Sequence, residues 1–358
     1  MKATKVADLL NKTADGCRLS KEEALFLARE ADLLALGQAA TRVVQKKFPD
    51  NLATFVIDRN INYTNICICR CNFCAFYRDR HHPEAYLLTE REILKRIEEA
   101  VEQGATQIML QGGLHPDLDI EFFTGLLKKI KANFSVTVHS FSPPEIFHMA
   151  TISGISIRSV LQRLIDAGLD SLPGGGAEIL VDEVRDIISP NKISSSQWLE
   201  VMETAHLLGL SSTATMMIGT VETWEDRILH LDRIRALQDR TGGFRAFIPW
   251  SFCPSNTRLG GNTTSAAEYL RTLALSRLYL DNFLHIHGSW VTQGPRVGQV
   301  SLWFGANDLG SIMLEENVVR AAGANYRLTQ DEMVRLIKAA GRIPALRDTA
   351  YNIIKIFE

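Results

Sequence analysis

Four of the six cysteines fall between Cys67 and Cys74, and three of them are spaced Cys67-x3-Cys71-x2-Cys74. Three thiolates on one short loop can wrap three corners of a cubane iron–sulfur cluster, which ordinarily takes four protein thiolates. One iron is then open to a small molecule, and an open iron implies chemistry. Structural zinc is the competing reading. It needs a closed tetrahedral set, commonly two Cys-x2-Cys-type pairs a dozen or more residues apart, and the sequence holds no second pair. Cys69 lies inside the loop and could either substitute for a ligand or point away.

Other segments carry residue types that could serve a ligand. Gln111-Gly112-Gly113-Leu114-His115-Pro116 has paired glycines that let backbone approach a ligand closely, with a tight turn as the plain alternative. Pro173-Gly174-Gly175-Gly176-Ala177-Glu178 has three consecutive glycines but no following Gly-Lys-Ser/Thr, which argues against a phosphate loop. The run instead reads as backbone stripped of side chains to admit a bulky ligand, with Glu178 at the rim to accept hydrogen bonds from ribose hydroxyls or an amine. A lone Glu at a helix start can also simply favour the dipole. His139, in His139-Ser140-Phe141-Ser142, is a candidate or a satisfied structural histidine, and Asp308 is a candidate base. Met216 and Met217 read as core filler. Phe247 to Phe252 is an aromatic-rich rim suited to a flat substrate, or equally core packing.

These segments must be positioned by regular elements. Residues 1–50 read as a helical extension, with Ser20-x2-Glu23 as a capping box. From there short apolar runs alternate with amphipathic ones: Ile61 to Cys67, Gln107 to Gln111, Ser135 to Ser140, Asp170 to Pro173, Thr213 to Ile218, Arg245 to Trp250, His285 to Val291 and Leu302 to Gly305. Helical patterns lie between them, among them one opened by Thr89-x2-Glu92. Eight strands alternating with helices predict an α/β fold, a parallel (β/α)8 TIM-type barrel over 51–325, with a helical segment over 326–358 packed on it. A doubly wound sheet is the alternative, because alternation alone does not prove closure. The candidate residues then gather at the C-terminal ends of the strands, where barrels keep their chemistry.

Composition narrows the function classes. At 358 residues and 46% hydrophobic content the chain can bury a large core. A formal net charge of −2 and the lack of a basic stripe argue against a nucleic-acid partner. Met1 to Leu10 lacks the apolar region of a signal peptide, and no segment reaches the roughly 18 uncharged apolar residues of a membrane span. Reduced, clustered cysteines fit a cytoplasmic protein.

The cysteine spacing, with Phe73 just before the last thiol, resembles the signature of radical S-adenosylmethionine (SAM) enzymes. Val56 to Asn65, the cysteine loop with Ala75 to Arg78, Gly174 to Leu180, Met216 to Thr223 and Phe247 to Phe252 together resemble the radical SAM enzymes of the futalosine route to menaquinone. The cysteine loop and Gly174 to Glu178 are shared with the aminofutalosine synthases, whereas Met216 to Thr223 and Ile248 to Phe252 resemble the cyclases that act on dehypoxanthine futalosine. The resemblance implies a [4Fe-4S] cluster on Cys67, Cys71 and Cys74, with Cys69 a bystander. It implies SAM held near Phe73, Tyr77, Gln111, Gly112, Gly113, Ser140, Gly175 and Glu178, while the strand-end residues Glu178, His139 and Asp308 stay the catalytic candidates. It also implies a low-potential electron donor such as flavodoxin or ferredoxin. The implied reaction, an oxidoreductase cyclisation, removes hydrogen from the ribose C4' and joins that carbon to the benzoate ring. A non-catalytic iron–sulfur or zinc protein is the reading from another class.

Overall fold

The strand-forming runs pair into a closed ring in the computed structural model, which describes residues 2–358. β1 (Leu52–Val56) and β2 (Asp58–Ile61) are one bent strand interrupted at Ile57. β2 pairs in parallel with β3 (Gln107–Leu110), and β3 with β4 (Thr137–Val138). A parallel bridge between His139 and Ser171 leads to β5 (Ser171–Leu172). β6 (Ser211–Ile218), β7 (Phe244–Ser251) and β8 (His285–Ile286) follow in parallel. A second bridge, His287 to Asp308, reaches β9 (Asp308–Ser311), which pairs with β1 and completes the circuit. Counting β1 and β2 together, eight parallel strands close on themselves, so the fold is the (β/α)8 barrel and not an open doubly wound sheet.

Helices wrap this ring where the sequence carries start signals. Ser20 and Glu23 cap each other's backbone at the head of α2 (Lys21–Glu30), which follows α1 (Lys2–Ala14) and precedes α3 (Leu33–Lys47). Thr89 and Glu92 do the same for Glu90–Glu102, and Thr223 with Asp226 for Trp224–Thr241. Between ring and helices lies the core, where Trp198, Phe244 and Phe283 stack at centroid spacings of 6.3 and 5.5 Å. Met216 and Met217 are fully buried there, in keeping with their role as core filler.

Three element boundaries differ from the sequence expectation. The first strand is 52–61 rather than 61–67, because Asp58 and Asn60 point their polar groups into an internal cavity and so disguise a strand as a loop. Residues 302–305 form a turn, and the last barrel strand is Asp308–Ser311. Leu302 and Phe304 are apolar because they pack under α3, where a Cβ on Gly37 would come within 2.7 Å of the Phe304 ring. Strand pairing of the 285–291 run stops at Ile286, and Trp290–Gln293 is helical. The C-terminal segment, expected to be helical, carries one helix (Gln330–Ala339) and then β10 (Ile343–Arg347), parallel to β1, and β11 (Ile353–Ile356), antiparallel to β10. From β10 the chain feeds Arg347, Thr349 and Tyr351 into the wall of the internal cavity.

Candidate active site

The cysteine loop follows β2 and is fixed from both sides. Asn65 O accepts from Arg78 N at 2.7 Å and Arg78 O from Cys67 N at 3.2 Å, so the loop closes on its own base. The Arg78 guanidinium fills the interior of the loop, donating to the carbonyl oxygens of Ala75 and Tyr77 at 2.9 Å each. At the tip, Asn72 donates its N–H to Ile188 O and accepts from Leu259 N, both at 2.8 Å. Its side chain donates to Ile187 O at 2.8 Å. The loop is therefore pinned by the protein's own hydrogen bonds.

Cys67, Cys71 and Cys74 line the mouth of a cavity of about 430 Å³ together with Phe73 and Tyr77. Cys69 also borders it, but its Sγ–H donates to Asn191 O at 3.5 Å while its own carbonyl accepts from Asn191 Nδ2 at 3.2 Å. All four are free thiols. Among the described residues no three His, Cys, Asp or Glu side chains gather tightly enough for a single metal ion.

Glu178 and Lys192 face this mouth. Glu178 is a non-glycine residue at φ +40°, a strained backbone of the kind that collects at functional sites. Lys192 Nζ donates to its Oε1 at 3.1 Å, while Oε2 is buried without a hydrogen-bond partner, 3.9 Å from Arg185 Nη1. Lys192 also stands 5.1 Å over the Phe73 ring. Burial opposes its charge, but the Cys71 thiolate and Glu178 hold the ammonium above its ordinary value. Lys192 escaped the sequence reading because it lies in a polar turn with no motif around it.

The glycine segments border the cavity, but their missing side chains face protein. A Cβ on Gly112 would meet the Tyr63 ring at 2.6 Å, and one on Gly113 would meet Ile66 O at 2.2 Å. On Gly174 it would strike Thr213 O at 2.6 Å, and on Gly176 the Pro144 ring at 2.3 Å. Gly175 would touch Gln111 Nε2 at 2.5 Å, the movable end of a side chain. The run that was expected to leave room for a bulky ligand instead lets loops close tightly around one. Buried Glu145 ties two of these loops together, accepting from Gly112 N at 3.1 Å, Tyr63 Oη at 2.8 Å and Ser142 N at 2.7 Å. Burial pushes its carboxyl above the ordinary range.

Not every candidate reaches the cavity. Ser140 is fully buried in the wall, where its Oγ accepts from Leu110 N at 2.8 Å, and Ser142 lines the space instead. Asp308 is taken up by a buried ion pair. Arg347 Nε meets its Oδ2 at 2.5 Å, Thr54 Oγ1 donates to the same oxygen at 2.5 Å, and His287 Nε2 lies 3.2 Å from Oδ1. Burial would raise this carboxyl, but Arg347 and His287 hold it well below the ordinary range, which suits a fixed counter-ion rather than a base. His139 does line the cavity, with Nδ1 at 2.8 Å from Ser171 Oγ. Burial first, and then Arg245, keep it well below its ordinary pKa and hence neutral. The wall also offers Asp58, Asn60 and Asn62, each with a buried oxygen lacking a partner.

A profile described as the radical SAM superfamily matches residues 61–234, and one described as the CofH/MqnC C-terminal region matches residues 241–358. With the barrel and its thiol-lined mouth, these matches define a radical SAM enzyme. The chain is 48% identical to the cyclic dehypoxanthine futalosine synthase of Streptomyces coelicolor, over 99% of this chain and 91% of that protein. It is 46% identical to the synthase of the same name from Halalkalibacterium halodurans, over 98% and 95%. It belongs to this family of radical SAM enzymes. The aminodeoxyfutalosine synthase of Thermus thermophilus is 39% identical over 98% and 96%. Among solved structures, methylornithine synthase shares the fold at a TM-score of 0.71 and 20% identity, over 93% of this chain and 95% of that one.

The family implies a [4Fe-4S] cluster and SAM, and the residues present fit both. Three soft thiol donors with one corner left open suit the cluster. Glu178 Oε2, which lacks a hydrogen-bond partner, and the cavity below suit a nucleoside bearing hydroxyls and an amine.

Proposed function

We propose that this chain is a radical SAM cyclase that converts dehypoxanthine futalosine to its cyclic product in menaquinone biosynthesis. The observation that carries the reading is the near-full-length likeness to the cyclases, which runs from the N-terminal helices to β11. Cys67, Cys71 and Cys74 would hold three irons of the cluster and leave the fourth for SAM, and Cys69 stays with Asn191. When bound, cluster and SAM together supply a 5'-deoxyadenosyl radical.

The protein's own contribution is position and exclusion. The pinned loop fixes the origin of the radical relative to the barrel, and Glu178 offers its free oxygen to SAM. The barrel wall around the cavity shields a substrate carbon radical from other hydrogen donors until ring closure. Trp250 and Ile248 in its upper wall give apolar surface along which the substrate can lie. His139, kept neutral, and the carboxyls of Asp58 and Glu316, both raised by burial, are cavity groups placed to take the ring proton that the cyclised radical loses together with an electron. An electron donor such as flavodoxin or ferredoxin would reach the cluster from the loop's outer side, where Ile68 is 50% exposed. No helix is long and apolar enough to cross a membrane among the described residues, and the reduced thiols support a cytoplasmic setting.

Anaerobic reconstitution with iron and sulfide, then SAM, a reductant and dehypoxanthine futalosine, tests the reading. The expected outcome is deoxyadenosine together with a product two hydrogens lighter than the substrate. A covalent adenosyl adduct with an enolpyruvyl benzoate would reassign the chain to the synthase branch.

A further inference from the structure

Among the described residues lining the cavity, three side chains carry a fixed positive charge: Lys192, Arg245 and Arg347. Two are answered by carboxylates. Lys192 meets Glu178 at 3.1 Å, and Arg347 meets Asp308 at 2.5 Å. Arg245 meets none. Its Nη2 lies 3.2 Å from both Ser171 Oγ and His139 Nδ1, Nη1 donates to Thr349 O, and Nε is buried without a partner. Every one of these acceptors is neutral. A guanidinium held away from bulk water with no counter-charge is costly until an anion joins it. Burial pushes it down to about 10, and Tyr351 and, from beyond ion-pair distance, Asp348 offset only part of this.

The backbone delivers this side chain to the cavity by a specific device. β7 pairs with β6 through Phe244 opposite Ser212 and Ala246 opposite Thr213, so Arg245 is the extra residue of a β-bulge. Phe244 packs outward against Trp198 and Phe283, whereas Arg245 turns inward beneath Ile248 and Trp250. At ~3.3 Å per residue, Arg245 lies roughly 15 Å down the strand from Trp250. That depth leaves room for a substrate between the arginine and the cysteine loop.

We propose that Arg245 receives the benzoate carboxylate of the substrate at the cavity floor, so that the ribose is presented upward to the cysteine loop. The proposal rests on the cyclase reading and adds what that reading lacks, the group that fixes the substrate's orientation. Arg245 is the one lining cation whose charge the protein leaves open among the described residues, and its planar fork suits a carboxylate. Arg347 cannot take this part while Asp308 occupies it.

The test compares dehypoxanthine futalosine with its carboxamide analogue on the reconstituted enzyme, with cluster content and SAM affinity read in parallel. Wild type is expected to bind the carboxamide about 10- to 100-fold more weakly, the range of a charged hydrogen bond. Arg245→Gln should lose affinity for the carboxylate by a similar factor and no longer distinguish the two ligands, while cluster content and SAM affinity stay as in wild type. Arg245→Lys keeps the charge without the fork and should give an intermediate ratio, which decides the matter if the Gln variant fails to fold. Equal binding of both ligands by wild type, or a wild-type ratio in either variant, overturns the proposal. A wild-type enzyme that binds neither ligand overturns the cyclase reading itself.

Discussion

The two ends of the cavity are built in opposite ways. At the mouth, the cysteine loop is local in sequence and held by backbone bonds within residues 65–78, helped by Asn72 reaching Ile187 and Ile188. At the floor, Asp308, Arg347, His287 and Tyr351 come from the β8 end, β9 and the C-terminal segment and meet through side chains, and Arg245 of β7 joins them through the Thr349 carbonyl. The mouth is thus specified by spacing and the floor by tertiary assembly. Damage to the first should remove chemistry while leaving the fold, and damage to the second should cost stability as well.

The largest effect is expected at the mouth. Changing Cys67, Cys71 or Cys74 to Ala should abolish SAM cleavage with little change in Tm, whereas Cys69→Ala should retain it. Iron content and deoxyadenosine yield check this. Loss of the cluster in Cys69→Ala with retention in Cys67→Ala would reverse the ligand assignment.

At the floor, Asp308→Asn leaves Arg347 buried without its counter-ion. Breaking such a pair typically costs about 3–5 kcal/mol, to be read by denaturant unfolding at pH 7. A loss below about 1 kcal/mol would mean that the pair is not what holds the C-terminal segment in the barrel. The variant also separates the roles of Asp308, because a base would cost turnover at constant stability.

The floor should also be the acid-sensitive end. Burial pushes His287 down to about 4, from an ordinary value of 6.5. The unfolded chain therefore binds the proton first as pH falls. Its contribution to stability is whole above pH 6.5 and declines as pH drops toward 4, by up to about 1.4 kcal/mol per pH unit. Unfolding free energies at pH 7.5, 6 and 5 should fall less steeply in His287→Gln than in wild type. Equal slopes would show that the histidine titrates normally.

The smallest effect concerns the glycines at the mouth. Gly113→Ala drives a Cβ to 2.2 Å from Ile66 O, a backbone atom next to Cys67, whereas Gly175→Ala meets only the end of the Gln111 side chain. Overpacking against the backbone beside Cys67 should lower cluster loading in Gly113→Ala. Gly175→Ala should load normally. Equal behaviour of the two variants would deny the difference between them.

This contrast also explains what the sequence made legible. Thiols three and two residues apart announce their joint task without any knowledge of the fold, and capping pairs such as Thr89 and Glu92 mark helix starts by local chemistry. The barrel was legible from alternation. Its first strand is not legible because Asp58 and Asn60 face the cavity, and its last because Asp308-Leu309-Gly310-Ser311 has the composition of a loop. Asp308 stood out as an acid near a strand, yet nothing in its neighbourhood reveals Arg347, 39 residues later, which neutralises it. Arg245 was visible only as the first residue of an apolar run, since a bulge leaves no mark in a single sequence.

The most direct measurement is label transfer. The reconstituted enzyme is given SAM, reductant and dehypoxanthine futalosine carrying deuterium at the ribose C4', and the deoxyadenosine is analysed by mass spectrometry. Deuterium in the deoxyadenosine, with a cyclised product two hydrogens lighter than unlabelled dehypoxanthine futalosine, is the expected result. Unlabelled deoxyadenosine formed at the same rate without substrate conversion, or a covalent adenosyl adduct with an enolpyruvyl benzoate, would contradict the cyclase reading.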